Sequence, residues 1–237
     1  MENRVLPNFD LQFDEQPDWR RLEVGETDLS AEARVPLRSL RPIPEAARTS
    51  FAPSVTRLPG LRAGENDLTR IAPGRPQAEG VKLLVSGSIT DENGRPLRGV
   101  LLEVWNANKW GRYTHKDDPA VQQLDPNFLG YGRVLTDDDG RYSFATIRPG
   151  SYLVRPEIDR WRPSHIHLSV RGGSSRLMTQ MYFPNDPLLD IDPGFQLFGA
   201  AGARQIGAES VSRTEGIDTD IRFDIVIGGR NPTIFED

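Results

Sequence analysis

The chain reads as an all-β protein, a two-sheet sandwich with a long irregular N-terminal arm and large loops. Three observations lead there. Short β-branched or alternating runs recur from Val81 to Ile227, separated by Gly, Asn and Asp turn signals. Glycine (22) and proline (19) are plentiful, which favours turns and short strands over long helices. The spacing of the turns suits a sandwich of about eight strands. Residues 79–237 are assigned to this domain and residues 1–78 to the arm.

The arm shows no sustained period of either kind. Prolines interrupt it at Pro7, Pro17, Pro36, Pro42, Pro44, Pro53, Pro59, Pro73 and Pro76. Short helices are expected at 29–34 and 44–49. Trp19, Leu58, Leu61 and Leu68 are scattered apolar anchors, so the arm is expected to pack on its own sandwich or on a partner.

The first strand, K-L-L-V-S-G-S-I-T, begins near Val81. Asn93-Gly94 is a strong turn signal, and G-V-L-L-E-V-W-N-A follows as a second strand. The pair is expected to form a hairpin at a sheet edge. Residues 106–132 form a long polar excursion, and loops of that length inside a domain tend to be functional. R-V-L-T and R-Y-S-F-A-T flank Asp137-Asp138-Asp139-Gly140 as a second expected hairpin. Arg148-Pro149-Gly150 turns the chain into a strand ending near Val170. Gly172-Gly173 turns it again into R-L-M-T-Q-M-Y-F. Residues 184–216 read as loop with one short helix, and I-R-F-D-I-V-I as the last strand.

Composition excludes several functions. The net charge of −5 offers no footprint for nucleic acid. No run is long and apolar enough to cross a bilayer, and the N-terminal residues carry no export signal. With zero cysteines, any metal must take N and O ligands, and a reducing cytoplasm is the compartment expected.

The chemistry concentrates between Pro149 and Val170. Two of the three histidines, His165 and His167, lie there two residues apart. In a strand they share a face, with Cα atoms roughly 6.6–6.8 Å apart, so both imidazoles can converge on one ion. Two imidazoles without thiolate suit Zn, Cu or Fe. Glu157 or Asp159 would complete a ferrous facial triad. Tyrosine would point to ferric iron instead, because only a strongly acidic cation removes a phenol proton near neutral pH.

Y-(x12)-H-x-H after a Pro-Gly turn, W-R-P-S-H-I-H, G-R-Y-T-H-K-D-D and L-D-P-N-F together resemble the intradiol ring-cleaving dioxygenases. The likeness is dense from about Val85 to Phe183. It implies a non-haem Fe(3+) centre, with Tyr113 and Tyr152 as equatorial and axial tyrosinates and His165 and His167 as the histidine ligands. It also implies roles for Arg162 as active-site arginine, Gln180 as a glutamine behind the ligands, and Trp105 as a tryptophan near the metal. The reaction implied is cleavage of a substituted catechol by O2 between its two hydroxyl-bearing carbons, with Tyr152 doubling as a base. A homologous, metal-free α chain is the implied partner in an αβ multimer. The sequence departs from the family where Pro-Trp would follow the axial tyrosine. Leu153-Val154 stands there, so a smaller pocket wall at Val154 and an altered preference for the ring substituent are expected. Residues 83–106 also resemble transthyretin-like brace modules, a non-catalytic alternative that leaves the tyrosines and histidines without a task.

Overall fold

In the computed structural model, residues 61–115, 118, 120–171, 176–228 and 232–233 are described. The expected arm helices, Trp19 and Leu58 lie outside them, as does Gly172-Gly173. Eleven strands are found among the described residues: β1 (Lys82–Asp91), β2 (Leu101–Trp105), β3 (Tyr131–Leu135), β4 (Arg141–Ile147), β5 (Tyr152–Arg155), β6 (Arg160–Arg162), β7 (His165–Arg171), β8 (Arg176–Tyr182), β9 (Ala208–Val211), β10 (Thr219–Arg222) and β11 (Ile225–Ile227). The α-helix α1 is a single turn, Pro193–Gln196, between two 3₁₀ segments.

One sheet runs β11-β1-β10-β9 with β4 on β1, and the other runs β3-β2-β7-β8. A two-stranded ribbon, β5-β6, stands apart. The all-β expectation holds, and both expected N-terminal hairpins are corrected. β1 pairs with β4, not with β2, and β3 pairs with β2, not with β4. The turns themselves are real. Asp91 N–H donates to Arg95 O, and Asp137 N–H donates to Arg141 O. Each turn carries the chain from one sheet to the other, because both members of each pair have an apolar face to bury and the sandwich offers two inner surfaces.

The inner faces follow from alternation. β1 buries every second residue, including Leu83, Val85 and Ile89. β2 contributes Leu102 and Val104, β4 Tyr142 and Phe144, and β7 Ile166, Leu168 and Val170. By the period of two, the other face of β7 carries His165, His167, Ser169 and Arg171. The end of the arm joins this core. Leu68 is fully buried, its N–H donates to Ala145 O, and Glu65 pairs with Arg133 at 2.7 Å.

The expected last strand is split. β10 and β11 both pair with β1 in parallel, interrupted at Phe223-Asp224. There the Asp224 carboxylate accepts from Ser88 N–H at 2.8 Å, and the Phe223 carbonyl accepts from the buried Tyr142 hydroxyl at 2.5 Å. Phe223 also explains Gly87, where an added Cβ would lie 1.8 Å from its carbonyl oxygen. Burial pushes the Tyr142 phenol well above its ordinary value, so it stays a donor. Tyr142→Phe is expected to lower stability by about 1–3 kcal/mol, the cost of stranding a buried acceptor. Denaturant titration measures it, with the midpoint expected to fall and the slope to stay.

Candidate metal centre

The site is assembled on the outer face of the β3-β2-β7-β8 sheet, because β7 turns both imidazoles that way. Register then chooses their neighbours. Trp105 on β2 and Gln180 on β8 flank His167 from either side, and Tyr182 sits opposite His165. The Trp105 and His167 rings stack with centroids 5.0 Å apart and planes within 3°. Tyr152 and Arg162 face each other across the β5-β6 ribbon.

Tyr113 arrives from the long excursion. Asn108 shapes that loop: its Oδ1 accepts from the N–H groups of Trp110 and Arg112, and its Nδ2 donates to Gln123 O. Tyr113 N–H donates to Asp118 Oδ2 at 2.7 Å.

The four donor atoms converge. Tyr113 Oη lies 3.1 Å from His167 Nε2 and 3.5 Å from His165 Nε2. Tyr152 Oη lies 3.5 Å from His165 Nε2, and the two Nε2 atoms are 3.2 Å apart. Ligands bonded at about 2.0–2.1 Å to one first-row ion stand about 2.8–3.4 Å from each other at angles between 90° and tetrahedral. The spacings of 3.1 and 3.2 Å fall inside that range and the two of 3.5 Å just beyond it.

The other ring nitrogen of His165 fixes its tautomer. Nδ1 lies 2.7 Å from the Pro163 carbonyl, which can only accept, so Nδ1 carries the proton and Nε2 presents its lone pair. Burial, with His167 and Arg162 nearby, holds its pKa well below the ordinary value, against a smaller opposing effect of the Pro163 carbonyl. The imidazole is therefore neutral, the form that ligates.

Arg162 reaches across the β8 side of the site. Its Nη2 donates to Gln180 Oε1 at 2.7 Å and to Tyr182 Oη at 3.2 Å, while Tyr182 Oη donates to Gln180 Oε1 at 2.5 Å. Burial disfavours the guanidinium charge, but Tyr182, Asp192 and Tyr152 outweigh it and raise its pKa. Its ion-pair partner is Asp192, at 3.3 Å from Nε. Asp159, the partner nearer in sequence, instead accepts from Trp161 Nε1.

Val154 falls at the irregularity between Leu153 and Arg155 on β5 and is 46% exposed. Glu157 is exposed at the ribbon tip. Among the described residues no cluster of three or more His, Cys, Asp or Glu side chains is arranged to hold a metal, so the ferrous facial triad is corrected. Tyr182, Asp192 and Asn108 were missed by sequence reasoning. Asp192-Pro193 does carry the signature of a helix start, an acidic N-cap before proline.

The dioxygenase family profile matches residues 58–229. Over 211 residues the chain is 46% identical to the protocatechuate 3,4-dioxygenase beta chain of Burkholderia cepacia, covering 87% of this chain and 89% of that one. The chain belongs to the intradiol dioxygenase family. This intradiol dioxygenase is also 35% identical over 133 residues to chlorocatechol 1,2-dioxygenase of Rhodococcus opacus, spanning 51% of this chain and 50% of the relative. Among solved structures it resembles catechol 1,2-dioxygenase from Pseudomonas arvilla C-1, with a TM-score of 0.52, 27% identity, and coverage of 73% and 59% of the two chains. Membership removes the non-catalytic brace reading. No helix among the described residues of the dioxygenase is long and apolar enough to cross a membrane.

Proposed function

We propose that this intradiol dioxygenase is the metal-bearing chain of a protocatechuate 3,4-dioxygenase, holding Fe(3+) between Tyr113, Tyr152, His165 and His167. The observation that carries it is the convergence of two phenol oxygens and two imidazole nitrogens with neighbouring spacings of 3.1–3.5 Å. A ferric ion bound there supplies a hard Lewis acid that acidifies a catechol's hydroxyls and readies its ring for oxygen. In this reading the chain's own residues do the rest. Tyr152 Oη accepts a proton from the incoming catechol, so a ligand serves as base. Arg162 stabilises anionic charge on that phenol and on the opening ring. Trp105 fixes the plane of His167, and the Pro163 carbonyl fixes His165. Gln180 holds the Arg162 guanidinium in line with the site.

The 46% identical relative supports protocatechuate as substrate and a homologous α chain as partner. Leu153-Val154 supports a second reading in the same class, another para-substituted catechol such as 4-sulfocatechol. Residues 79–237 are the catalytic domain and residues 1–78 the assembly arm.

The test is purification with any copurifying chain, iron analysis, and rates with protocatechuate, catechol and 4-sulfocatechol. One iron per chain, a red tyrosinate absorption and a protocatechuate preference are expected. Colourless, iron-free protein from iron-replete cells would sink the reading, and a 4-sulfocatechol preference would shift the substrate.

A further inference from the structure

We infer that Asp192 is a positioning residue for ring cleavage, tying the Arg162 guanidinium to the start of helix α1. The inference rests on the proposed function. Asp192 is fully buried, 0% exposed, and among the described aspartates only Asp125, at 6%, is also buried. Such a carboxylate needs a cationic or hydrogen-bonding partner for each oxygen. Its two oxygens serve different segments. Oδ2 accepts from Phe195 N–H at 3.0 Å and caps α1. Oδ1 lies 3.3 Å from Arg162 Nε.

The guanidinium is thereby held from two sides. Asp192 faces Nε, while Gln180 and Tyr182 accept from Nη2. Gln180 and Tyr182 are themselves fixed on β8, where Gln205 Nε2 donates to the Gln180 carbonyl at 3.0 Å. Arg162 comes from the free-standing β5-β6 ribbon, which joins neither large sheet. Asp192 therefore fastens the ribbon's charged end to the segment packed over the site. The carboxylate offsets part of the Arg162 field, so its contribution is placement rather than charge. Asparagine retains one oxygen, enough to cap α1 or to face Nε but not both, whereas alanine retains neither. A misplacement on the order of 1 Å near a reacting centre can cost about 100-fold in rate.

The experiment compares Asp192→Ala and Asp192→Asn, alone and on an Arg162→Ala background, in the assembled, iron-loaded enzyme. Turnover is expressed per bound iron. Asp192→Ala should lower kcat roughly 10–100-fold with a smaller change in KM, and Asp192→Asn should fall between Asp192→Ala and wild type. On the Arg162→Ala background, Asp192→Ala should cost no further kcat and should raise Tm, since it removes a buried charge already deprived of its partner. A second readout needs no metal. In metal-free protein, modification of Arg162 by phenylglyoxal, mapped by mass spectrometry, should be severalfold faster in Asp192→Ala than in wild type. Additive losses of kcat in the double variant, or an Asp192→Ala enzyme with unchanged kcat per iron, would overturn the inference while leaving the functional reading intact. Wild-type protein that holds iron and cleaves no catechol would overturn both.

Discussion

Replacing His165 with alanine is expected to strip the protein of iron and take ring cleavage with it. The imidazole is 1% exposed, and its Nε2 is within 3.5 Å of three of the other donor oxygens and nitrogens. Changing a group that merely orients a metal ligand costs roughly 10–100-fold in metal affinity, and removing the ligand itself should exceed that. Iron per chain after gel filtration, together with the visible tyrosinate band, measures the effect. Full iron occupancy with an unshifted band would show that His165 does not ligate. Tyr182 packs on His165 at a ring separation of 5.7 Å, so Tm should also fall. The metal readout must therefore be taken on the folded fraction.

The legibility of these residues differs for physical reasons. His165 and His167 were readable because a strand's period of two is local, and nothing distant is needed to put i and i+2 on one face. The same locality misled at Asn93-Gly94 and Asp137–Gly140. The turn chemistry is satisfied inside the turn whichever sheet the next strand joins, so it reports a reversal and not a partner. Strand partners were chosen by two inner surfaces that only the assembled sandwich has. Tyr113 has no periodic signature. The family likeness pointed to it, while its position depends on Asn108 bonds with Trp110, Arg112 and Gln123. Asp159 lies three positions before Arg162, but it sits in a left-handed conformation, φ 49°, at the ribbon tip, where it accepts from Trp161 Nε1. The true partner lies thirty positions downstream, as the numbering of Arg162 and Asp192 shows. The split of the last strand at Phe223-Asp224 was equally hidden, since it involves two donors on other strands, the Ser88 N–H of β1 and the Tyr142 hydroxyl of β4.

Arg162→Ala should lower kcat by about 100–1,000-fold, the range seen when one preorganised electrostatic donor is removed from a reacting centre. The argument rests on where the charge is held. The guanidinium is 20% exposed on its side chain, so solvent screens it only in part. Its interaction with Tyr152 favours the guanidinium cation. Loss of the charge should strand the negative charge that develops on the opening ring. Stability should drop too, by roughly 1–3 kcal/mol after allowing for that partial exposure, because Asp192 keeps its buried charge and loses its cation. Arg162→Lys separates the two effects. A lysine ammonium restores a positive charge near Asp192, yet a single point charge lacks the planar fork that meets Asp192, Gln180 and Tyr182 together. Tm should recover most of its loss while kcat per iron stays at least about tenfold down, consistent with a geometric rather than a purely coulombic requirement. Stopped-flow turnover with iron quantified in the same samples decides it. If Arg162→Lys matches wild type in kcat, charge alone suffices at this position. If Arg162→Ala does so, the guanidinium has no part in the chemistry.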